Sequence, residues 1–195
     1  LYELGKYNLD LDENLDIHLL VNHNEHVSIY SQIASKLGIA NKKNKIVQKP
    51  TSFINNNSSD EKVDVVIVDE AHLLLTQGKQ SYQGKNHLDD LLARAKVVVI
   101  VFDIKQVLTT EQIWEIDKLN EYFDKAKSNS NHVTLRNQMR INRDISTVNW
   151  IRNLVDYQVI NSIPKDKLGY DIKIFDTPDE LEKAIKIKAT HTDSG

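Results

Sequence analysis

The stretch VDVVIVDEAH, residues 63–72, decides the fold of this chain. Its run of β-branched apolar residues from Val65 to Val68 is typical of a strand buried on both faces of a parallel sheet. Asp69 and Glu70 follow at the carboxyl end, where open α/β sheets bind their ligands. One carboxylate could hold Mg²⁺ through water, and the other could orient or deprotonate an attacking water. The same pattern also describes a strand that ends in a solvated acidic turn, so the decision depends on the rest of the chain.

The composition describes an ordinary globular protein. The chain has 195 residues, of which 40% are hydrophobic and 27% are charged. Its net charge of −3 predicts no overall affinity for nucleic acid or anionic membranes, although a local basic groove stays compatible with it. The absence of cysteine excludes thiolate metal sites and disulfides, and it fits a reducing cytosol, so we expect a cytoplasmic protein. No apolar run reaches the length of about 18 residues that a membrane span needs.

Strand-like and helix-like stretches alternate along the chain, which predicts a parallel α/β sheet flanked by helices. The predicted strands are residues 17–21, 65–68, 96–102, 132–135 and 171–175. The two valine-rich runs, Val65–Val68 and Val97–Val101, are predicted to be buried strands that neighbour or nearly neighbour each other in the sheet. The predicted helices are residues 25–37, 87–95, 111–126, 143–155 and a last one from 177 towards 189. A polar break at residues 127–131 separates two predicted subdomains, residues 1–127 and 128–195.

Two of the predicted helices carry clear local signals. The helix at residues 25–37 has Gly38 as its stop and an apolar stripe at helical spacing, formed by Tyr30, Ile33, Ala34 and Leu37. The last helix has a strong start, with Thr177 as the cap, Pro178 at the first position and Glu180 three residues after the cap. These signals are local, and they predict where helices begin and end without deciding what they pack against.

A second polar pair follows the predicted strand at residues 96–102. In FDIKQVL, residues 102–108, Asp103 lies just past the strand and Gln106 comes three residues later. A carboxylate and an amide that leave neighbouring strand ends could meet the acid pair over one ligand. An amide both donates and accepts, so Gln106 could sense a phosphate or position a water. Alone this pattern describes an ordinary turn, but its place one strand–helix–strand step after DEAH makes it more specific.

A third signal is TLRNQMRIN, residues 134–142, in which Arg136 and Arg140 lie one helical turn apart. The planar guanidinium group suits phosphate, and an arginine from a second subdomain would stabilise negative charge in a transition state. Both side chains could instead cover the start of the following helix or contact its acids. The spacing favours this structural role for Arg136 and leaves Arg140 undecided.

The series VVIVDEAH, VFDIKQVL and LRNQMRIN, in this order, resembles motifs II, III and IV of superfamily 1 helicases. More closely, the segment from DEAH to Leu108 resembles a bacterial family of P-loop ATPases with a schlafen group 3-like DNA/RNA helicase domain. The resemblance covers nearly the whole chain. It implies a RecA-like, P-loop NTPase sheet flanked by helices, followed by the start of a second RecA-like unit.

The resemblance also implies roles in the hydrolysis of ATP. Asp69 would be the carboxylate that holds Mg²⁺ through water, and Glu70 would be the catalytic base. Gln106 would sense the γ-phosphate, and Arg140 would reach the nucleotide from the second unit. ATP and Mg²⁺ are therefore the expected cofactors of the full-length protein.

Further residues would connect nucleotide and nucleic acid. By the same resemblance, His72 would couple the acid pair to the motif at Asp103. The segment LVNHNEH around Asn22 corresponds to a stretch that often meets single-stranded DNA or RNA, which makes a single strand the expected partner. The sequence does not identify a protein partner.

One element of the family is missing, because no G-x-x-x-x-G-K-[ST] sequence occurs in the chain. The chain opens with LYELGKY, which resembles the end of the helix that follows this loop, so we expect the loop upstream of Leu1. Without the backbone cradle and its lysine, we expect these residues alone to bind ATP no tighter than roughly millimolar, about −4 kcal/mol, and not to hydrolyse it.

Two functions of different classes follow from the sequence. The first is an ATP-driven motor or remodeller that acts on DNA or RNA. The second is a nucleotide-dependent switch that gates a protein partner in defence or restriction without translocation. Stimulation of the full-length ATPase by single strands would separate them.

Overall fold

The computed structural model describes residues 3, 15–40, 45–78, 81–106, 114–135 and 143–191. The chain divides into two compact units, Leu1–His132 and Val133–Gly195, here called unit 1 and unit 2. The polar break that we predicted as the subdomain boundary precedes this division by a few residues. That the two units are RecA-like stays a prediction.

Among the described residues, unit 1 is built on a parallel sheet of four strands in the order β2-β1-β3-β4. The strands are β1 (Ile17–Leu20), β2 (Val47–Gln48), β3 (Val63–Val68) and β4 (Ala95–Ile100). The helices of unit 1 with described bounds are α1 (Asn24–Lys36), α2 (Pro50–Asn56), α3 (His87–Arg94) and α4 (Ile116–Ser128), and short 3-10 turns lie at Ala71–Leu73 and Ile104–Gln106. The predicted α/β class, with a parallel sheet flanked by helices, is therefore confirmed.

The two valine-rich runs of the sequence are neighbouring parallel strands, as predicted. Val65 of β3 pairs with Val97 of β4, and Val68 pairs with Ile100. On the other side of β3, Val68 pairs with Leu20 at the end of β1. The three strands therefore end in one row, and whatever follows them in sequence lies at one edge of the sheet.

The two faces of the sheet pack against different helices, because side chains alternate along a strand. One face of the sheet, with Leu20 and Val66, packs in a buried cluster with Phe53 of α2 and Leu91 of α3. The opposite face packs in a second cluster that includes Leu19 and Val47, with α1 as its cover. Each fully buried side chain of this size contributes roughly 1.5–3 kcal/mol to the free energy of folding.

The prediction that the second valine-rich run is fully buried was wrong for one of its faces. Val97, Val99 and Val101 are 51%, 46% and 48% exposed, whereas Val98 and Ile100 pack against the first cluster. The reason is topological. β4 is the last strand of the sheet among the described residues, and the described helices of unit 1 cover only one of its faces.

Local capping explains the bounds of α1 and α3. Gly38 has φ +73, a left-handed conformation that favours glycine, and its N–H donates to the Ser35 carbonyl, so α1 ends where the sequence predicted. At the start of α3 the Asn86 side chain accepts hydrogen bonds from the backbone N–H groups of Leu88 and Asp89. The predicted helix at residues 111–126 is observed from Ile116, and residues 107–113 lie outside the described part of the chain.

The described part of unit 2 contains two helices, α5 (Ile145–Tyr157) and α6 (Pro178–His191), close to their predicted positions. Thr177 Oγ1 accepts from the Glu180 N–H, which confirms the predicted start of α6. The strands predicted at residues 132–135 and 171–175 do not form, and this part of the prediction was wrong. A strand needs a neighbouring strand for its hydrogen bonds, and the described residues of unit 2 form no sheet. Across the residues that the structure describes, each helix is too short or too polar to cross a membrane.

Candidate functional site

The acid pair lies at the carboxyl edge of the sheet, between the ends of β1 and β4. The Asp69 N–H donates to the Leu20 carbonyl at 3.1 Å, which continues the pairing of β3 with β1 by one residue. The Ala71 N–H donates to the Val101 carbonyl at 2.8 Å, just past the end of β4. The turn that carries the acids is thus fixed by backbone hydrogen bonds to both neighbouring strands.

Asp69 is held by hydrogen bonds to both of its carboxylate oxygens. Oδ1 accepts from the backbone N–H of Glu70 at 3.0 Å, and Oδ2 accepts from the Tyr30 hydroxyl of α1 at 3.2 Å. Among the described residues no group of three or more His, Asp or Glu side chains could hold a metal ion. A nucleotide-bound Mg²⁺ needs only one or two protein carboxylates beside phosphates and waters, so Asp69 is a chemically suitable donor for it.

Glu70 has an unusual backbone conformation for its residue type. Its φ of 54° and ψ of 46° are left-handed, which costs a residue with a side chain about 1–2 kcal/mol. Its Oε2 lies 3.0 Å from Nε2 of His72, two residues later in the 3-10 turn. The half-buried Glu70 carboxylate is therefore held by a specific partner at a strained turn, as in many catalytic sites.

His72 is buried, with 3% of its surface exposed. Its Nε2–H donates to Glu70, and its Nδ1 is buried without a hydrogen-bond partner among the described residues. The ring meets Phe102 edge to face, with 6.3 Å between the ring centroids. Because Phe102 directly precedes Asp103, this contact joins the turn of the acid pair to the turn that carries Asp103 and Gln106. The coupling role of His72 stays a prediction.

Asp103 and Gln106 pair with each other at the end of β4. Gln106 Nε2 donates to Asp103 Oδ2 at 2.8 Å, and the Gln106 N–H donates to the Asp103 carbonyl at 3.2 Å. Both residues are exposed at the carboxyl edge that also carries the acid pair. The amide is thus oriented by its own motif, and a γ-phosphate contact of Gln106 stays a prediction.

Two further roles predicted from the sequence are not tested by the described residues. Arg136 and Arg140 lie outside the described residues, so the role of Arg140 as an arginine from the second unit stays a prediction. Asn22 follows β1 at the same edge of the sheet, and its Nδ2 is buried without a hydrogen-bond partner in the described part of the chain. A nucleic-acid contact of the segment around Asn22 also stays a prediction.

Tyr30 is the contributor to this edge that sequence reasoning missed. Its helical spacing predicts Tyr30 as part of an apolar stripe, and the ring does pack against the cluster beneath α1. Its hydroxyl, however, reaches Asp69. The available signal was a tyrosine, the one stripe residue with a hydrogen-bonding group, on the helix that directly follows a strand end.

Comparisons with known proteins agree with the resemblance at the level of the domain family. The family model described as "Schlafen group 3, DNA/RNA helicase domain" matches residues 3–194. A relative from Saccharomyces cerevisiae (strain ATCC 204508 / S288c), the uncharacterized protein YPL245W, is 32% identical over 195 residues. The match covers 88% of this chain and 42% of that relative, so the chain spans less than half of its length. No solved structure matches the chain. The expected bacterial origin stays a prediction.

Proposed function

The chain belongs to the family of schlafen group 3 DNA/RNA helicase domains, and we propose that it forms part of an ATP-hydrolysing, helicase-like P-loop NTPase of superfamily 1 type that acts on DNA or RNA. The observation that carries the proposal is the Asp69–Glu70 pair at the carboxyl edge of a parallel sheet, with Glu70 held by the buried His72. ATP and Mg²⁺ are the proposed cofactors of the full-length protein.

The acid pair divides the chemistry between its two members. Asp69, fixed through both oxygens, would hold Mg²⁺ through a water molecule. Bound Mg²⁺ would neutralise charge on the nucleotide phosphates. Glu70 would accept the proton of the attacking water. The bond from His72 engages Oε2 of Glu70 and keeps the carboxylate from turning, so its second oxygen can face the water.

Residues at the end of β4 and beyond would complete the site. Gln106, oriented by Asp103, would sense the γ-phosphate, and its exposure leaves the amide accessible to a ligand. Arg140 would supply positive charge to the transition state. A single strand of DNA or RNA would bind along the segment around Asn22, at the end of β1.

The proposal is tested by Glu70→Gln in the full-length protein. The amide cannot take a proton, so hydrolysis should fall at least about 100-fold, while ATP affinity stays within about twofold because the shape is kept. The matched control is Glu61→Gln, an exposed glutamate of the same unit that precedes β3. This control should leave both quantities unchanged, and wild-type turnover in Glu70→Gln would refute the assignment of the base.

A second measurement separates the motor from other nucleotide-dependent proteins. Single-stranded DNA and single-stranded RNA should each be added to the wild-type ATPase, and stimulation by either supports the proposed function. An ATPase that neither strand stimulates would point to the nucleotide-dependent switch that gates a protein partner.

A further inference from the structure

Asp69 lies on the side of the sheet that α1 covers. Ile67 and Asp69 are two residues apart, and side chains two apart along an extended chain share a face. Ile67 packs against the buried cluster that α1 forms with β1 and β2, and Tyr30 packs against the same cluster. The topology therefore brings a tyrosine of α1 beside the carboxylate that ends β3.

The two hydrogen bonds of Asp69 fix the plane of its carboxylate. Oδ1 accepts from the Glu70 N–H at 3.0 Å, and Oδ2 accepts from the Tyr30 hydroxyl at 3.2 Å. A carboxylate bonded through one oxygen alone can turn about its last side-chain torsion, which is broad and only two-fold. The bond from Tyr30 to the second oxygen removes that freedom.

Tyr30 is itself well placed to act as a rigid donor. It lies in the middle of α1, and its ring meets His26 edge to face, with 6.2 Å between the centroids. One turn further on, Ala34 is buried in the cluster beneath the helix. The hydroxyl is therefore already held in place by a packed helix, whereas a water molecule at the same position would have to be immobilised when it bound.

We propose that Tyr30 is a positioning residue that orients the Asp69 carboxylate towards the metal ion of a Mg²⁺–nucleotide complex. The inference rests on the proposed function, because it takes Asp69 as the carboxylate that holds Mg²⁺. Tyr30 does not need to touch the nucleotide, since it acts through Asp69. Its removal should therefore matter only when the metal is present.

The test is Tyr30→Phe in the full-length protein, with ATP affinity measured by calorimetry in Mg²⁺ and again in excess EDTA. The dissociation constant in Mg²⁺ should rise about fivefold, the range expected for one hydrogen bond, and the constant in EDTA should not change. The matched control is Tyr122→Phe in the same unit, whose hydroxyl donates to the Asp89 carboxylate of α3. It removes the same group from a similar pair and should alter neither constant.

Coupling to Asp69 gives a second, independent measure. Adding Tyr30→Phe to an Asp69→Asn variant should produce no further loss of Mg²⁺–ATP affinity, because the positioned carboxylate is already gone. An unchanged Mg²⁺–ATP affinity in Tyr30→Phe overturns the inference. Equal weakening in Mg²⁺ and in EDTA also overturns it, since that is the signature of a merely structural residue.

Failure of the inference can be told from failure of the proposed function. If Glu70→Gln is inactive while Tyr30→Phe binds Mg²⁺–ATP like the wild type, only the role of Tyr30 is lost. If Glu70→Gln keeps wild-type turnover, the proposed function fails first, and the role of Tyr30 fails with it.

Discussion

Unit 1 and unit 2 both contain helices, but they bury apolar side chains to very different extents. In unit 1 one apolar cluster packs against each side of the sheet. In the described part of unit 2 only Thr147 and Trp150 are buried, while Ile174 and Ile185 are 74% and 59% exposed. Helices can follow from local sequence, whereas an apolar core needs a sheet or a helix layer on which to pack.

Unit 2 is organised instead by polar contacts around one carboxylate. Asp166 accepts from the Thr147 hydroxyl at 2.5 Å, and from the backbone N–H groups of Asp144 at 2.8 Å and Leu168 at 2.7 Å. Desolvation raises the pKa of Asp166, but these hydrogen bonds to its carboxylate outweigh that effect and hold the pKa below its usual range. The Trp150 Nε1–H donates to the Asn161 carbonyl at 2.8 Å and adds one more such tie.

Unit 1 contains a buried polar side chain, His87, whose pKa is lowered by burial and not by hydrogen bonds to a charged group. Its Nδ1 accepts from the Leu75 N–H at 3.1 Å, which leaves the proton on Nε2 to bond Thr51 Oγ1 at 3.2 Å. Burial lowers the pKa of His87 to about 4, against an opposing effect of the nearby Asp90. The neutral His87 ring lies at the end of the segment between β3 and α3, and it packs against the buried ring of Tyr82 in that segment.

The two tryptophans allow the units to be followed separately. Trp114 lies in unit 1 and Trp150 in unit 2, and the chain has no others. A Trp150→Phe background therefore reports unfolding of unit 1 by fluorescence, and a Trp114→Phe background reports unit 2.

The largest expected effect compares one leucine from each unit. Leu91→Ala removes a side chain that is 0% exposed and should lower the free energy of unfolding of unit 1 by about 3 kcal/mol. Leu181→Ala removes one that is 45% exposed and should change unit 2 by less than about 1 kcal/mol. Urea titrations in the two backgrounds measure both. Equal losses would show that unit 2 has a core that its exposed side chains do not reveal.

Acid should destabilise the two units in different pH windows. Because the folded pKa of His87 lies below its ordinary 6.5, the unfolded chain binds the proton first as the pH falls. The contribution of His87 to the stability of unit 1 is then fully present above pH 6.5, and up to roughly 3 kcal/mol of it is lost as the pH falls from 6.5 to 4. The lowered pKa of His18, also caused by burial, acts in the same direction.

Unit 2 should resist acid until a lower pH. The folded pKa values of Asp144 and Asp166 are lowered from 3.8, so their contribution is present above pH 3.8 and disappears as the pH falls below it. Urea midpoints at pH 7, 5.5, 4.5 and 3 in both tryptophan backgrounds measure the two profiles. His87→Asn keeps an acceptor near Nδ1 but cannot titrate. It should therefore remove most of the loss of unfolding free energy that unit 1 shows between pH 6.5 and 4. A slope that persists in this variant would assign the effect to another group.

The smallest expected difference concerns two glycines. A Cβ on Gly84 would overlap the Tyr82 hydroxyl and the Asp90 carboxylate, so Gly84→Ala should cost unit 1 about 1–3 kcal/mol. Gly169 of unit 2 has φ +84 and open space around it, so Gly169→Ala should cost only the backbone strain, about 1 kcal/mol. Melting temperatures of the two variants in their respective tryptophan backgrounds measure these two losses of stability. A harmless Gly84→Ala would mean that the Tyr82 segment repacks freely.

The sequence by itself determined the parts of this protein that depend on local patterns. Residues 63–72 predicted β3 and the acid pair behind it, Gly38 predicted the end of α1, and Thr177 predicted the start of α6. Periodicity, glycine and capping residues act within a few positions of the chain. The family resemblance likewise depended on short ordered motifs, and the family match confirmed its helicase-like domain.

Only the tertiary structure decided which residues meet and which strands exist. The exposed face of β4 and the missing strand at residues 171–175 follow from the presence or absence of a neighbour, which no local pattern encodes. Tyr30 reaches Asp69 because α1 covers the face of the sheet on which Asp69 lies, although the two residues are far apart in sequence. Such contacts arise from sheet order and helix placement, and these are properties of the packed chain as a whole.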